Sequence, residues 1–326
     1  KLRWQLLAIN VPQDAVQTPK GMENFFTNLA GSKSSITWKE KWLYGKFQVW
    51  FSFEIVSNGG QIQYYIRLVE KYRDVVEAAL YAQYPEAQIT EVEDYTDIIP
   101  DDYPNDDIDV WGSEMIAKKP SFFPMRTWTE FEHMGEKDQR FKDPLLPMLE
   151  GMGKMLPGEN YWLQMLIMQP DDQDWTKKGQ KWIFDKYGKE EKKKDASWLH
   201  SLAWIPEEIM KQIGGMFAPA GDEKKQQFDW AAFKITPQEK GQIDAVERKI
   251  SKLGWYAKIR FVYSAKTELY RKGTIASMSK GIFHQYGHLS WNKFGIHGDS
   301  TPKDDYFWQT WQIEKKKTIL VNKYKN

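Results

Sequence analysis

The chain has 326 residues, of which 41% are apolar and 15% aromatic, so it can bury more than one hydrophobic core, and two domains are expected. It contains no cysteine, which excludes disulfides, thiolate catalysis and every zinc site that needs a cysteine ligand. The formal net charge of +1 favours neither nucleic acid nor an acidic partner, and the sequence lacks the run of about 18 apolar residues that spans a membrane.

The first 96 residues alternate between strand and helix patterns. Asn58-Gly59-Gly60 separates two strand patterns rich in β-branched and aromatic residues, which is the strongest short-range signal of a β-hairpin. Pro85 ends the second helix pattern. The strand patterns are residues 2–12, 47–57, 61–70 and 87–94, and the helix patterns are 18–31 and 72–84. The order β-α-β-β-α-β predicts a ferredoxin-like module over residues 1–96.

Residues 97–110 carry two prolines and six aspartates without periodicity, which predicts an acidic linker. A second ferredoxin-like module is predicted over residues 111–305, with one strand missing or displaced and a charged, helical insertion at about 171–235. Its strand patterns are 111–122, 161–170 and 255–265, and its helix patterns are 143–156, 236–254 and 269–287. A basic C-terminal segment, 306–326, holds five lysines and one glutamate. The predicted fold class is therefore α+β, with two ferredoxin-like modules in tandem.

No motif for catalysis or for a cofactor is found in the sequence. The phosphate-binding signatures GxxxxGK[ST] and GxGxxG are both absent. His284 and His288 stand four residues apart near the end of a predicted helix, but Gln285 occupies the position where a zincin needs glutamate. This departure favours a structural role for the two histidines. The chain is predicted to be non-enzymatic, with no cofactor and no metal site.

Ten acidic residues and no lysine or arginine lie between Glu86 and Asp109. The run lacks the alternating carboxylates around a glycine that a calcium loop requires. The fourth strand of a ferredoxin-like module is an edge strand, and charge on such a strand prevents edge-to-edge pairing. A protein-binding surface is the alternative interpretation. Its candidate residues are Glu91, Glu93, Asp94, Asp101 and Asp102.

The first predicted sheet is apolar on both faces. One face carries Phe51, Phe53, Ile62, Tyr64 and Ile66 toward the helices, and the other carries Trp4, Leu6, Ala8, Trp50 and Tyr65 with Gln63 and Arg67. A second apolar face favours packing against another domain or subunit, with Trp4, Trp50, Tyr65 and Arg67 as candidate interaction residues. Base stacking of single-stranded nucleic acid is the alternative, although NGGQIQYYI lacks the basic-Gly-aromatic signature of such sheets.

Four stretches of the sequence resemble a poorly characterised bacterial domain. They are FSFEIVSNGGQIQYYIRLVEKYRDVVEAALYAQYPEAQITEVEDYT, LQMLIMQPDDQDWTKKGQKWI, AVERKISKLGWYAKIRFVYSA and FHQYGHLSWNKF, within residues 45–295. In candidate-phyla and Gram-positive bacteria, that domain precedes the motor module of conjugation-type, or type IV secretion, ATPases. It also occurs on proteins that lack the motor.

The resemblance implies a non-enzymatic accessory domain that makes protein contacts in a type IV secretion or conjugation-like membrane apparatus and positions a motor ATPase. It implies a place at the cytoplasmic side of the inner membrane, with an anchor upstream of Lys1, and the motor ATPase or further copies as partners. No P-loop is present here, so ATPase activity is not expected. The alternatives are a module that binds single-stranded nucleic acid and a surface glycan-binding protein that uses the 16 tryptophans.

Overall fold

The computed structural model describes residues 2–12, 19–132, 144–170, 172, 174–187, 235–303 and 310–325. Within these ranges, eight strands form one antiparallel sheet in the order β4-β1-β3-β2-β6-β7-β5-β8. The strands are β1 (Trp4–Asn10), β2 (Trp50–Asn58), β3 (Gln61–Val69), β4 (Gln88–Val92), β5 (Ile108–Ala117), β6 (Glu159–Met168), β7 (Tyr256–Lys266) and β8 (Phe294–Ile296).

The same ranges contain nine α-helices, which cover both faces of the sheet. They are α1 (Pro19–Leu29), α2 (Trp38–Leu43), α3 (Arg73–Tyr81), α4 (Trp128–Glu132), α5 (Leu146–Gly153), α6 (Asp174–Lys186), α7 (Pro237–Ile250), α8 (Lys272–His284) and α9 (Thr310–Lys325). The α+β class is confirmed. None of the described helices is both long and apolar enough to cross a bilayer.

The hairpin of β2 and β3 is confirmed, with pairing from Ser52 opposite Arg67 to Asn58 opposite Gln61. Gly59 and Gly60 have φ angles of 59° and 87°, the left-handed region that glycine adopts without strain. A Cβ atom at Gly60 would lie 2.8 Å from the carbonyl oxygen of Met155, so the turn also needs glycine to pack beside the chain after α5.

The two halves of the chain share one sheet. β2 pairs antiparallel with β6 from Trp50 opposite Met168 to Asn58 opposite Asn160. The sequence predicted two modules in tandem, and it could not show this pairing because long-range strand pairing leaves no local pattern. The other edge strand, β8, has three residues and was not predicted. The predicted edge position of β4 is confirmed.

One face of the sheet is covered by α1 and α3 in the first half and by α5 and α8 in the second. Phe51 and Ile55 point to this same face of β2; Phe51 belongs to the first core and Ile55 packs against the second. The first core includes Leu7, Phe25, Leu29, Ile66, Leu68, Val76 and Leu80, and the second includes Trp111, Met148, Met152, Tyr161, Phe261, Ile275 and Phe283. Fully burying one such side chain stabilises the fold by roughly 1.5–3 kcal/mol.

The opposite face is covered in part by α9 and by residues 95–103 of the acidic run. Tyr95, Ile99 and Tyr103 join Leu320, Val321 and Tyr324 of α9 in a third core, over Leu6, Val56, Val110, Trp162 and Val262. The sequence expected another domain or subunit on this face, and the chain's own C-terminal helix lies there. The segment 306–326, predicted only as basic, is helical from Thr310.

Two further features differ from the sequence prediction, and a third agrees with it. β5 begins at Ile108, inside the predicted linker 97–110. The helix α2 follows a short turn after α1 and was not predicted. In the predicted insertion, α6 is described and packs against α7 through Ile183, Ile243 and Val246, together with Phe122. The remainder of the segment 171–235 lies almost wholly outside the described residues.

Candidate interaction surfaces

Glu54 is the centre of a polar cluster beneath α9. Its side chain is 1% exposed, although it stands on the face of β2 that the third core covers. Its carboxylate accepts hydrogen bonds from Ser52 Oγ (2.6 Å), Gln164 Nε2 (2.9 Å), Tyr95 OH (2.8 Å) and Arg67 Nε (3.4 Å). Because a buried carboxylate needs several donors or a counterion, these four contacts explain how Glu54 is accommodated.

Arg67 joins this cluster to the acidic run. Its two terminal nitrogens donate to Asp94 over 2.5 and 3.0 Å, a two-pronged contact across β3 and the chain after β4. Burial alone would raise the pKa of Asp94, but hydrogen bonds from Arg67 and Thr96 outweigh it and lower that pKa to about 2. Two of the predicted interaction residues, Arg67 and Asp94, are therefore partners of each other.

Tyr65 lies beneath the acidic run, where its ring stacks on Tyr95 with 5.1 Å between centroids. The Tyr95 and Tyr324 hydroxyls are 2.9 Å apart and share a hydrogen bond, which links Tyr95 to α9. Burial, together with the nearby Glu54 carboxylate, raises the pKa of Tyr65 above its usual value. Tyr65 is therefore half-buried, and it packs against Tyr95 of the same chain.

The other acidic candidates divide into paired and exposed side chains. Glu91 accepts from Gln5 (3.1 Å) and Arg73 (3.0 Å), and Asp101 accepts from Lys325 of α9 (2.5 Å). Glu93 and Asp102 are exposed. The acidic run therefore holds α9 through Asp101, and it presents Glu93 and Asp102 to solvent.

A second charged group, which the sequence analysis missed, surrounds Arg260 on β7. Arg260 is 6% exposed, and its Nε and Nη1 atoms have no hydrogen-bond partner. Glu114 lies nearby on β5 and pairs with Lys258 Nζ at 2.9 Å and with Lys323 Nζ at 3.9 Å. Burial lowers the pKa of Arg260 below its usual value, while Glu114, Tyr324 and Glu54 oppose that shift.

A signal for these residues is present in the sequence. Glu54 in FSFEIV, Arg67 in YYIRLV, Gln164 in WLQML and Arg260 in KIRFV are each a polar residue with an apolar neighbour on both sides. Cross-strand pairing places three of them on one row, because Glu54 lies opposite Gln164 and Gln164 lies opposite Arg260. Arg67 lies opposite Ser52, in the neighbouring row on the same face. The row is visible only when the β2–β6 pairing is known.

Trp4 and Trp50 lie away from this cluster, at the end of the sheet where β1 and β2 begin. Their rings are 4.1 Å apart between centroids, across Val69 of β3. Trp50 lies opposite Met168, which lies opposite Tyr256, and the Tyr256 side chain is exposed. We name Trp4, Trp50, Met168 and Tyr256 the aromatic row. Its members are half-buried or exposed and belong to none of the hydrophobic cores.

His284 and His288 are placed apart from any carboxylate cluster. The His288 ring stacks on Trp291 at 4.2 Å, and its Nδ1 accepts from the Ser290 backbone N–H at 3.2 Å. In the part of the chain that the structure describes, no group of three His, Cys, Asp or Glu side chains could hold a metal ion.

Residues 7–287 match the family model described as a domain of unknown function, DUF8128. The chain belongs to this DUF8128 family. Neither the curated proteins nor the solved structures give a significant match. The match thus agrees with the resemblance of the sequence to an uncharacterised domain. For a DUF8128 protein, a function is inferred from the arrangement of its side chains.

Proposed function

We propose that this DUF8128 chain is a non-enzymatic assembly domain of a type IV secretion or conjugation-like membrane apparatus, where it binds a motor ATPase and positions it at the inner membrane. The surface of the sheet supports the assembly role. The resemblance of the sequence stretches supports the identity of the apparatus. The proposal requires a surface for another protein that the chain does not cover itself.

The aromatic row is the observation that carries the proposal. The Trp4 and Trp50 rings contact each other in a tilted arrangement with 4.1 Å between centroids, and Tyr256 extends the row across β6 to β7. Tryptophan and tyrosine are enriched at the centres of protein interfaces, because they bury a large area and lose little conformational freedom. Charge and polarity elsewhere on this face are taken up by Asp94, Lys325 and Tyr324 within the chain.

We also propose that each half of the sheet is a ferredoxin-like unit. Numbering the strands within each half gives the order 4-1-3-2 twice, as β4-β1-β3-β2 and as β8-β5-β7-β6. The two second strands, β2 and β6, meet antiparallel, which suits two similar units related by an approximate two-fold axis. Such a platform is rigid, which favours a role in holding a partner in a fixed orientation.

The nucleic-acid alternative is weaker on the same geometry. It used Trp50, Tyr65 and Arg67 as a stacking platform. Both terminal nitrogens of Arg67 donate hydrogen bonds to Asp94, and Tyr65 stacks on Tyr95. Two of these three side chains therefore already have partners within the chain. A base-stacking platform needs aromatic faces open to solvent.

The experiment is affinity purification of the full-length protein from native membranes, with mass spectrometry of the partners. The double variant Trp4→Ser, Trp50→Ser removes the centre of the aromatic row, and Tyr64→Ser is the matched control, because Tyr64 is an exposed aromatic on the other face. We expect the wild type and the control to recover a P-loop ATPase, and the double variant to lose it at least about tenfold, as for a pair of interface anchors. Equal recovery by all three proteins would contradict the proposal.

A further inference from the structure

Residues 33–48 form a protruding segment between the end of α1 and the start of β2. We name this segment the aromatic loop. Its two ends are tied together: Ser34 N–H donates to Gln48 Oε1 at 3.4 Å, and the Gln48 side-chain amide donates to the Ser34 carbonyl oxygen. Lys33 Nζ donates to the Pro170 carbonyl oxygen at 2.6 Å, which fixes the base of the loop to the chain after β6.

The helix α2 within the loop is held by backbone and polar contacts. Thr37 and Glu40 form a capping box at its start. The Tyr44 and Lys46 backbone N–H groups both donate to the Glu40 carbonyl oxygen, at 3.2 and 3.1 Å, and Gly45 at φ 61° ends the helix. The loop therefore has a defined shape that does not depend on its apolar side chains.

Those apolar side chains are large, and they point into solvent. They are between 57% and 81% exposed, and no residue of α2 is buried. The set is Trp38, Trp42, Leu43, Tyr44 and Phe47. Five exposed apolar side chains so close in the sequence mark a binding surface, because exposing them to water is unfavourable and the fold gains nothing from it.

The charges in the loop indicate which kind of partner would cover these apolar side chains. Lys33, Lys39, Lys41 and Lys46 are interleaved with the aromatic side chains, and Glu40 is the only acidic residue of the segment. Lysine together with tryptophan, phenylalanine and leucine is the composition of segments that lie in the headgroup region of anionic membranes. Tryptophan and tyrosine favour that region, because each has an apolar ring and a polar group.

The distribution of the apolar side chains favours lipid over a protein groove. The helix α2 has six residues, fewer than two turns, and a groove-binding helix presents anchors along a single stripe of two or more turns. Trp38 and Trp42 lie on one side of α2, whereas Leu43 lies about 100° further round. A bilayer surface has no fixed groove, so it can surround apolar side chains that lie on different sides of a short helix.

The neighbouring surface is compatible with a flat approach to a bilayer. The aromatic loop leads into β2 at Trp50, at the end of the sheet where β1 and β7 also begin. Leu2, Leu253 and Tyr256 are exposed at this end. One end of the molecule thus carries the aromatic loop, the aromatic row and these side chains.

We propose that the aromatic loop inserts its side chains into the headgroup region of an anionic phospholipid bilayer. The contact is peripheral, and it is separate from any anchor elsewhere in the protein. It does not depend on the motor ATPase, so its failure and the failure of the assembly role are measured on different variants.

The test is flotation of the full chain with vesicles of phosphatidylcholine alone or of equal parts phosphatidylcholine and phosphatidylglycerol. The double variant Trp38→Ser, Trp42→Ser removes the apolar side, and Lys39→Gln, Lys41→Gln removes charge. The matched control is Leu289→Ser, an exposed apolar residue far along the chain at 93% exposure. Circular dichroism and the thermal midpoint verify that each variant folds, as expected for side chains that pack in no core.

We expect the wild type and Leu289→Ser to bind the anionic vesicles, with a blue shift of tryptophan emission that Trp38→Ser, Trp42→Ser abolishes. Binding falls at least about tenfold for the tryptophan variant and about tenfold for the lysine variant, since each lysine contributes near an anionic surface. Absence of wild-type binding to anionic vesicles overturns the proposal. So does unchanged vesicle binding by the tryptophan variant, including the case in which that variant loses a protein partner instead.

Discussion

At the scale of single residues, Glu54 shows how a carboxylate is kept inside this sheet. It is 1% exposed, and it accepts from Ser52, Gln164, Tyr95 and Arg67. An isolated buried charge costs several kcal/mol, so the donors must stay in place for the fold to be stable. The cluster couples β2, β3 and β6 to the acidic run, and it includes Arg67 and Asp94, which the sequence predicted as interaction residues for a partner.

Arg67→Ala is expected to destabilise the protein by about 3–5 kcal/mol, because it leaves Glu54 and Asp94 without their cation. The Arg67 side chain is 13% exposed and pairs with both carboxylates. Arg3→Ala is the control, since its pair with Glu70 is exposed, and it is expected to cost less than about 1 kcal/mol. Urea unfolding measures both; similar losses would show that the cluster contributes no more than a surface pair.

Asp94 gives the fold a dependence on acidic pH. Its pKa in the folded protein, about 2, lies below its usual value of 3.8. The stability from ionised Asp94 is therefore fully present above about pH 4 and is lost as the pH falls toward 2, by up to about 2 kcal/mol. Other carboxylates titrate in the same window, so the informative quantity is the difference between the wild type and Asp94→Asn.

We expect the advantage of the wild type over Asp94→Asn, measured by urea unfolding, to shrink between pH 4 and pH 2. A constant difference across that range would mean that Arg67 does not stabilise the ionised form of Asp94.

At the scale of elements, α9 explains why the chain carries both an acidic run and a basic C-terminal segment. Lys317 pairs with Asp109 at 2.7 Å and with Glu314 at 2.8 Å, and Lys325 pairs with Asp101. The basic C-terminal segment and the acidic run are thus partners within one chain. Composition alone indicated two separate charged surfaces. It could not show that they pair, because the ion pairs form only when α9 packs over the sheet.

Leu320→Ala is expected to cost about 2–5 kcal/mol, because Leu320 is 1% exposed and packs over the sheet. Ile319→Ala is the neighbouring control: Ile319 is 41% exposed, so its loss is expected to cost about 1 kcal/mol or less. The denaturant midpoints of the two variants measure the difference. Equal midpoints would contradict the placement of α9 on this face.

The elements that the sequence predicted best are those with clear local signals. The hairpin at Asn58-Gly59-Gly60 was predicted from its turn residues, and the helix predicted over residues 236–254 is α7, whose start Thr236 and Glu239 cap in the structure. The sequence missed α2 because its apolar side chains face solvent, and it missed β8 because three residues are too few for a period to be seen. The aromatic row was half predicted, through Trp4 and Trp50, and the β2–β6 pairing supplied Met168 and Tyr256.

At the scale of the whole molecule, the β2–β6 pairing makes the two halves depend on each other. A fragment of residues 1–96 would leave the nine-residue strand β2 as an unpaired edge and would uncover the face beneath α9. We expect this fragment to self-associate in gel filtration and light scattering, whereas the full chain does not associate through β2. Val56→Lys, which places a charge on that strand and face, is expected to reduce the association of the fragment. A folded, monomeric 1–96 fragment would show that the pairing is dispensable.

The assembly role depends on the proposed contact between the aromatic row and a motor ATPase, and this contact can be tested in native cells. It is tested most directly by site-specific photo-cross-linking in native cells, with p-benzoylphenylalanine in place of Trp50 and, as the control, in place of Tyr64 on the opposite face. We expect a covalent adduct with a P-loop ATPase from position 50 and none from position 64. Absence of that adduct from position 50, or equal yields from both positions, would contradict it.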